Sequence, residues 1–529
     1  MTKQRNTFEL YTPEQIRDAE QVAMNDLGIP QELLMEHAAL AVANAICEDT
    51  SRGECGDCAA SAALLAGTGN NGADALATAR LLSRRGFTVT VFEKNSDPGN
   101  EAYRRQRQWL SAYENVTFAK LELPIEWERY EYIVDGLFGI GCNRNLTGEV
   151  FEVVASLNAY TGETGSGVRR AKVFAIDVPS GIDSRTGQVL GDAVKADVTV
   201  TFSAKKTGLS LYPGRTYCGR CIVADVGIPK QAMPTEFGCA MRGPWSMRER
   251  IPYGHKGTFG KILILAGSEN TPGAAVLAAR AAFRSGAGMV KVVSTENVLA
   301  EMLHALPEAI LCTREQWLDE PDEQAAGYDV IVAGPGIGTD EAARRLLHSA
   351  LKRKGTIRVI DADALNILAA ELRAEEPAER IRELQRLCDG ECVLTPHPME
   401  LSRLTGMRPA EIAADRLAVA KEWQDAGEAV LVMKDAATMV VGDWYIWFNE
   451  NGNDGMGTAG SGDVLAGMLG AIATDAVSGY RTLAQSAAEA VSLHGLAGDI
   501  AAEKLGTYSM TSGDIAEAIP EAISSANAQ

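Results

Sequence analysis

Short apolar runs alternate along the chain with longer stretches in which apolar residues recur every three or four positions. The short runs, bounded by glycine and polar residues, predict strands buried on both faces, and the longer stretches predict amphipathic helices. Thr12-Pro13-Glu14-Gln15 announces the first helix, with Thr12 as cap, Pro13 at the first helical position and Gln15 closing a capping box. A second helix follows Pro30 through ELLMEHAALAVANAI. Ala62–Ala66 reads as a buried strand, GTGNNGADA as a turn, LATARLLSRR as a helix ending at Gly86, and FTVTVF as the next strand. A strand–helix–strand unit of this kind predicts a parallel sheet. YIVDGLFG, VFAIDVPSG, ADVTVTF and CIVADVG continue the series.

The rhythm lapses between Pro229 and Pro244, then a second series opens at KILILAGS. It continues through MVKVVS, DVIVAGPGIG, IRVIDADALNIL, CVLTPHPMEL and AVLVMKDAATMVV, and closes with helices. The pattern therefore predicts an α/β domain over 1–235, a linker over 236–250 and a second α/β domain over 251–529, with no short-period repeat.

Composition narrows the picture. A chain of 529 residues exceeds one ordinary core, and 46% apolar residues make it globular. A net charge of −20 excludes nucleic acid as a main partner, but not a small anion held by backbone N–H groups. The first fifteen residues, MTKQRNTFELYTPEQ, lack the apolar core of a signal peptide. No apolar run approaches the roughly 20 residues that span a bilayer. A cytoplasmic homo-oligomer with no membrane partner is expected, with its ten cysteines as reduced thiols. Cys55 with Cys58 and Cys218 with Cys221 have metal-like spacing, but a zinc site would need the two distant pairs to meet. They are read as incidental small residues.

The strongest chemical signal is Gly455-Met456-Gly457-Thr458-Ala459-Gly460-Ser461-Gly462-Asp463, running into VLAGMLGAIA. Glycines let the backbone approach a ligand, and the helix that follows adds its positive end. This is an anion hole suited to a transferring phosphoryl group, and Asp463 at its mouth can take a proton from an attacking hydroxyl. Read alone, the stretch is equally a glycine turn with Asp463 as a helix cap.

In the first half, the turn Gly67–Asp74 follows a strand and opens a helix, a phosphate-binding arrangement by position. Asp135 in VDGLFGIG and Asp177 with Ser180 in IDVPSGID end two further strands and can converge on the same crevice. Each aspartate is alternatively a cap for its own βα loop.

The order HKGTFGKILILAGS, TPGAAVLAARAAFRSGAG, AGPGIG, DADALN, TPHPMEL, KDAAT, GTAGSGD and HGLAGD resembles the ADP-dependent NAD(P)H-hydrate dehydratases, a branch of the ribokinase-like fold, from about Tyr253 to Ile519. The resemblance implies that Ala274, Gly336, His397 and Asp463 contact a hydrated nicotinamide nucleotide. It implies that Lys434, Asp435, Ala436, Ala437, Thr438 and Gly462 hold the adenine nucleotide, with Mg2+ accompanying ADP. Met399 and Ala459 stand where that family usually has glycine. Thr12 to Pro229 resembles the NAD(P)H-hydrate epimerases, which implies a Rossmann-like three-layer αβα domain. There Asn70, Asn71, Gly72, Ala73 and Asp74 line the substrate, as do Asp177 and a loop of Gly139, Ile140, Gly141, Cys142, Asn143, Arg144 and Asn145. A potassium ion lies by Asn71, Asp135 and Ser180, and Asp135 is the expected catalytic residue of this half. Ala73 and Ala75 replace glycines usual in that turn.

The resemblance thus implies a bifunctional repair enzyme. It epimerises the R and S forms of hydrated NADH and NADPH (NADHX and NADPHX) and dehydrates the S form with ADP, giving AMP and phosphate. The rivals are a vitamin or sugar kinase of the same fold, which would release a stable phosphorylated product, a non-catalytic dinucleotide-binding protein, and an NAD-dependent oxidoreductase. The absence of a G-x-G-x-x-G turn with a later acidic partner weighs against the oxidoreductase.

Overall fold

The computed structural model describes residues 7–49, 60–94, 99–162, 170–236, 238–241, 243, 245, 247–319, 327–388, 390–442 and 444–528. Cys55 and Cys58 lie outside these residues. The chain divides into two compact units, Glu9–Phe237 and Gly238–Gln529, the latter together with Met1–Phe8.

The N-terminal unit is built on strands β1 (Ser61–Ala66), β2 (Thr88–Glu93), β3 (Val116–Lys120), β4 (Tyr132–Gly136), β5 (Lys172–Ile176), β6 (Val198–Phe202) and β7 (Arg220–Ala224). They pair in parallel in the order β3-β2-β1-β4-β5-β6-β7. This is a doubly wound order whose direction reverses between β1 and β4, the place where such sheets open a ligand crevice. Alternate residues of one strand face opposite layers. Ala62, Leu64 and Ala66 pack with Ala39, Val42 and Leu76 of helices Gln31–Asp49 and Asn70–Arg84. Ala63 and Leu65 pack with Val153, Val154 and Leu157 of helix Gly148–Gly162. The three-layer arrangement follows, because each face is apolar and each needs a cover. Leu10 and Tyr11 also pair in parallel with Lys205 and Lys206, which brings the capped helix Pro13–Gln21 toward the loop after β6.

In the C-terminal unit the strands are β8 (Gly238–Met241), β9 (Lys261–Leu265), β10 (Met289–Ser294), β11 (Ile310–Thr313), β12 (Val330–Ala333), β13 (Ile357–Ile360), β14 (Cys392–Leu394), β15 (Val430–Met433), β16 (Met439–Val441) and β17 (Ile446–Asn449). Their order is β11-β10-β9-β12-β13-β14-β15-β16-β17-β8. Pairing is parallel from β11 to β15, antiparallel on both sides of β16, and parallel again between β17 and β8. Strand β8 lies inside the stretch that the lapsed pattern suggests as a linker. Four residues, GCAM, carry too little alternation to announce a strand, and their backbone pairing with Ile446–Asn449 makes one.

Ile262, Ile264, Val290, Val292, Val330 and Val332 share a core with helices Pro272–Arg284, Ser461–Ile472 and Leu483–Leu505. Leu263, Leu265 and Ile331, pointing the other way, are fully buried too. The first two of those helices approach so closely that a Cβ on Gly467 would lie 2.0 Å from the Ala278 carbonyl oxygen. Gly467→Val is therefore expected to force these helices apart and to destabilise the C-terminal unit by about 3 kcal/mol or more. Calorimetry checks this: the C-terminal transition should fall in temperature while the N-terminal one holds.

Candidate active sites

The carboxyl edge of the N-terminal sheet holds a cavity of about 710 Å3. Its wall includes Asn70, Asn71 and Asp74 from the turn after β1, Gly139, Ile140, Gly141 and Cys142 from the loop after β4, and Asp177 from the loop after β5. Arg17 and Glu20 of the first helix complete it. The turn is tight: a Cβ on Gly67 would meet the Leu137 carbonyl oxygen at 1.9 Å, and one on Gly72 would meet the Gly67 oxygen at 1.7 Å. Gly72 and Ala73 are buried beneath the turn. The Ala75 methyl packs against Gly136, 2.5 Å from where a Cβ there would sit, so alanine at 75 is accommodated by glycine at 136. Helix Asn70–Arg84 begins on Gly69 without a side-chain cap, leaving its first N–H groups to face the cavity. Asn143, Arg144 and Asn145 continue the loop beyond the wall.

Asp135 sits under this wall rather than in it. Its carboxylate accepts from Ser180 N–H at 2.7 Å, Ser180 Oγ at 2.6 Å and Leu137 N–H at 3.2 Å, and it is fully buried. Ser180 Oγ in turn accepts from Phe138 N–H at 2.8 Å. A carboxylate so tied joins the loops after β4 and β5. Burial pushes its carboxyl up to about 6, against the downward pull of the Ser180 and Leu137 bonds.

Asp177 has φ 65°, a left-handed conformation costly for a non-glycine residue. Its Oδ1 accepts from the fully buried Lys206 Nζ, from Thr201 Oγ1 at 3.2 Å and from Phe202 N–H at 3.2 Å. Burial, with Asp177 and Glu20 nearby, raises Asp74 well above the ordinary carboxylate range. Burial first, then Asp177, lifts Glu20 to about 7 although Lys206 and Arg17 oppose it. The sequence singles out neither Glu20 nor Lys206. They lie far along the chain from the glycine turn: the β5–β6 pairing sets Lys206 beside Asp177, and the Leu10–Lys205 pairing carries the helix that bears Glu20 toward it.

In the C-terminal unit, β9, β12, β13, β14 and β15 all run parallel and end at one edge. From those ends come Gly336, Asp361, Thr395, His397 and Lys434. Lys434 Nζ donates to Asp361 Oδ1 at 2.7 Å, and Thr395 Oγ1 donates to the same oxygen at 2.7 Å. Gly462 closes over this pair; a Cβ there would lie 3.4 Å from Lys434 Nζ. Helix Ser461–Ile472 starts on Gly460, φ 90°, again without a side-chain cap. Ser461 Oγ lies 3.4 Å from Nε2 of His494, whose pKa burial drives down to about 4, so the imidazole stays neutral beside the helix terminus. Asp463 feels Asp361, Asp363 and Lys434. Burial first, then Asp361, raises it to about 7, with Lys434 pulling the other way.

Gly336 packs on the loop before Ala274: a Cβ there would sit 2.5 Å from Thr271 Oγ1 and 3.0 Å from the Ala274 methyl. Gly338 N–H, two residues on, donates to Asp363 at 2.9 Å, linking this loop to the Asp463 neighbourhood. His397 caps helix Pro398–Thr405. Its Nδ1 accepts from Met399 N–H at 3.1 Å and Glu400 N–H at 3.3 Å, while Nε2 lies 3.3 Å from Glu400 Oε1. Burial and Lys434 lower its pKa, so the capping imidazole is neutral. Lys434 keeps its charge: burial opposes the ammonium, but Asp361, Glu400 and Asp463 together hold its pKa above the ordinary value. The loop Asp435–Thr438 is held by Arg416, which donates to the carbonyls of Met433 at 3.0 Å and Ala437 at 2.9 Å and lies 3.3 Å from Asp435. Arg416 is unmarked in the sequence, whereas Asp361 lies inside the DADALN landmark without an expected role.

Cys218 is buried and its thiol donates to Gly214 O at 3.1 Å. Among the described residues no group of three or more His, Cys, Asp or Glu side chains could hold a metal ion. Nor is any helix among them long and apolar enough to cross a membrane.

Each unit thus sets a glycine-capped helix N-terminus and buried carboxylates at the carboxyl edge of a parallel sheet, the arrangement of an α/β enzyme that handles anionic nucleotides. The family described as NAD(P)H-hydrate dehydratase matches residues 262–521, and that described as YjeF-related protein N-terminus matches residues 31–208. The bifunctional NAD(P)H-hydrate repair enzyme Nnr of Moorella thermoacetica is 34% identical over 97% of this chain and 96% of its own length. Its namesake from Escherichia coli is 32% identical over 85% of this chain and 83% of its own. A crystallised ADP/ATP-dependent NAD(P)H-hydrate dehydratase from Bacillus subtilis is 28% identical, covering 54% of this chain and 99% of that one, with a TM-score of 0.45. The chain belongs to the family of bifunctional NAD(P)H-hydrate repair enzymes.

The electrostatics of the second site are directly measurable. Asp463 is expected to titrate near pH 7, and Asp361→Asn should lower that midpoint by removing the repelling charge and freeing Lys434 to face it. Carbon-13 NMR of the labelled aspartates checks both; a midpoint near 4 in the unmutated protein would contradict the burial argument.

Proposed function

We propose that the N-terminal unit interconverts the R and S forms of hydrated NADH and NADPH, and that the C-terminal unit dehydrates the S form with ADP. The observation that carries this reading is Asp463, a half-buried carboxyl beside an uncapped helix N-terminus and the Lys434–Asp361 pair. Such a helix end receives phosphate oxygens, and Lys434 adds a fixed positive charge where negative charge develops. The hydrate carries a hydroxyl on C6 of its nicotinamide ring, a poor leaving group. With Asp463 ionised, the hydroxyl proton passes to it as the C6 oxygen attacks the terminal phosphorus of ADP and AMP departs. The ring nitrogen then expels phosphate, and loss of a C5 proton restores the reduced nucleotide.

Lys434 to Thr438 and Gly462 are the proposed ADP contacts, with Arg416 holding their loop in shape. Ala274, Gly336 and His397 are proposed to border the nicotinamide nucleotide, His397 also capping its helix. Magnesium would then arrive on the nucleotide phosphates, the usual habit of an ion that keeps much of its water.

In the N-terminal unit, the residues fit a potassium ion. Asp135 is a fully buried carboxylate bonded by Leu137 and Ser180 and by no cation among the described residues, and Asn71 Nδ2 is buried without a hydrogen-bond partner among them. Turning that amide would offer an oxygen alongside those of Asp135 and Ser180, the hard donor set such a cation prefers. The ion would supply a fixed positive charge under the cavity. The residues themselves tie the two loops whose far sides hold the substrate.

Purified protein, NADHX epimers and ADP should regenerate the NADH absorbance with release of AMP and phosphate. A stable phosphorylated product would instead indicate a kinase. Asp463→Asn should lower dehydration by about two to four orders of magnitude. In the unmutated protein kcat/KM for dehydration should rise as pH passes about 7, since Asp463 is the protonated, inactive form below that pH and the carboxylate above it. Potassium should raise the melting temperature of the N-terminal unit relative to lithium, and Asp135→Asn should remove that difference.

A further inference from the structure

Three carboxyl groups, Glu20, Asp74 and Asp177, line the N-terminal cavity, and the fully buried cation beside them, Lys206, is engaged by one of them. Lys206 Nζ donates to Asp177 Oδ1, to Thr201 Oγ1 at 3.0 Å and to the Phe202 carbonyl at 2.9 Å. That uses all three donors of an ammonium group. Neither Glu20 nor Asp74 makes a side-chain hydrogen bond or ion pair with another described residue. Around Glu20 stand Asp177 and Lys206 from the loops after β5 and β6, Asp74 from the glycine turn, Arg17 from its own helix and the Cys142 thiol in the same wall. Carboxyl groups crowded into one partly dry cavity wall, two of them without a hydrogen-bonded cation, do not all ionise readily, so this wall holds a proton.

We propose that Glu20 and Asp74 are the proton-transfer pair that interconverts the two C6 epimers, an inference that rests on the epimerase assignment above. In the step, ionised Glu20 takes the proton of the C6 hydroxyl. The oxygen pair forms the carbonyl, the C6–N1 bond breaks, and N1 takes the proton of Asp74. Rotation about C5–C6 presents the other face, N1 adds back to the carbonyl carbon, and the two protons return. No atom is lost and no co-reactant is needed. Loss of the hydroxyl as water would instead leave an iminium ion that becomes the reduced nucleotide by shedding a C5 proton, and the ADP-driven step would be redundant. Burial with Asp177 close by lifts Glu20 to about 7, so its ionised form, the acceptor in this step, accumulates above that pH.

The test follows interconversion of pure R and S NADHX by chromatography, with full-length protein and no ADP. The unmutated protein should show kcat/KM rising through about pH 7. Glu20→Gln and Asp74→Asn should each lower kcat by about 100-fold or more with KM little changed. Glu20→Gln should flatten the pH limb, and Glu20→Asp should recover part of the rate. In oxygen-18 water the product should keep its original C6 oxygen. A Glu20→Gln protein with the unmutated rate and pH profile overturns the pair, and one solvent oxygen per turnover overturns ring opening. The pH and isotope measurements need no variant, so a misfolded mutant leaves them decisive. Unmutated protein that dehydrates S-NADHX but never interconverts the epimers fails the epimerase assignment itself, and the proposal with it.

Discussion

Parallel pairing sends the carboxyl end of every paired strand to the same edge of its sheet, and both sites depend on that constraint. Strands running one way need helical crossovers, and each crossover leaves a helix N-terminus at the edge where the strands end. In the N-terminal unit the reversal between β1 and β4 opens a cavity there, walled by Asn70, Asp74 and Asp177. In the C-terminal unit the ends of β13, β14 and β15 deliver Asp361, Thr395 and Lys434 to one another within hydrogen-bonding distance. Neither constellation has a local cause; each is a by-product of strand direction.

The sites also share how they treat charge. Each begins a helix on glycine, Gly69 and Gly460, where Thr12, Asn100 and Thr482 cap other helices with a side chain. A glycine leaves the first N–H groups to a ligand. Each then sets a carboxyl in a partly dry setting, where burial favours the protonated form until a nearby cation restores the balance. Lys434 offsets this only in part for Asp463, which still stands near 7, and Lys206 is engaged by Asp177. Strain collects at the same edges: Asp177 at φ 65° and Ala362 at φ 47° are both left-handed non-glycine residues following a strand.

Much of this was legible beforehand. The capping box at Thr12, the buried strand Ala62–Ala66, the turn Gly67–Asp74 and the run Gly455–Asp463 are local, because turn, cap and strand preferences act over a few neighbouring residues. Tight packing explains the glycines themselves, since a side chain at Gly67 or Gly72 would strike a backbone oxygen. Less legible were short strands such as Gly238–Met241, whose identity comes from a partner two hundred residues away.

The sequence by itself determined that there would be two α/β series and which glycine turns would open a helix without a side-chain cap, since both depend on residue order over short spans. Only the tertiary structure decided what meets at those turns. It drew Glu20 and Lys206 to the first, made Asp135 a tie beneath the wall, and set Arg416 to shape the loop at the second. Those outcomes depend on contacts and burial between segments remote in the chain, and a carboxyl group's chemistry changes with burial and neighbours that no local pattern encodes.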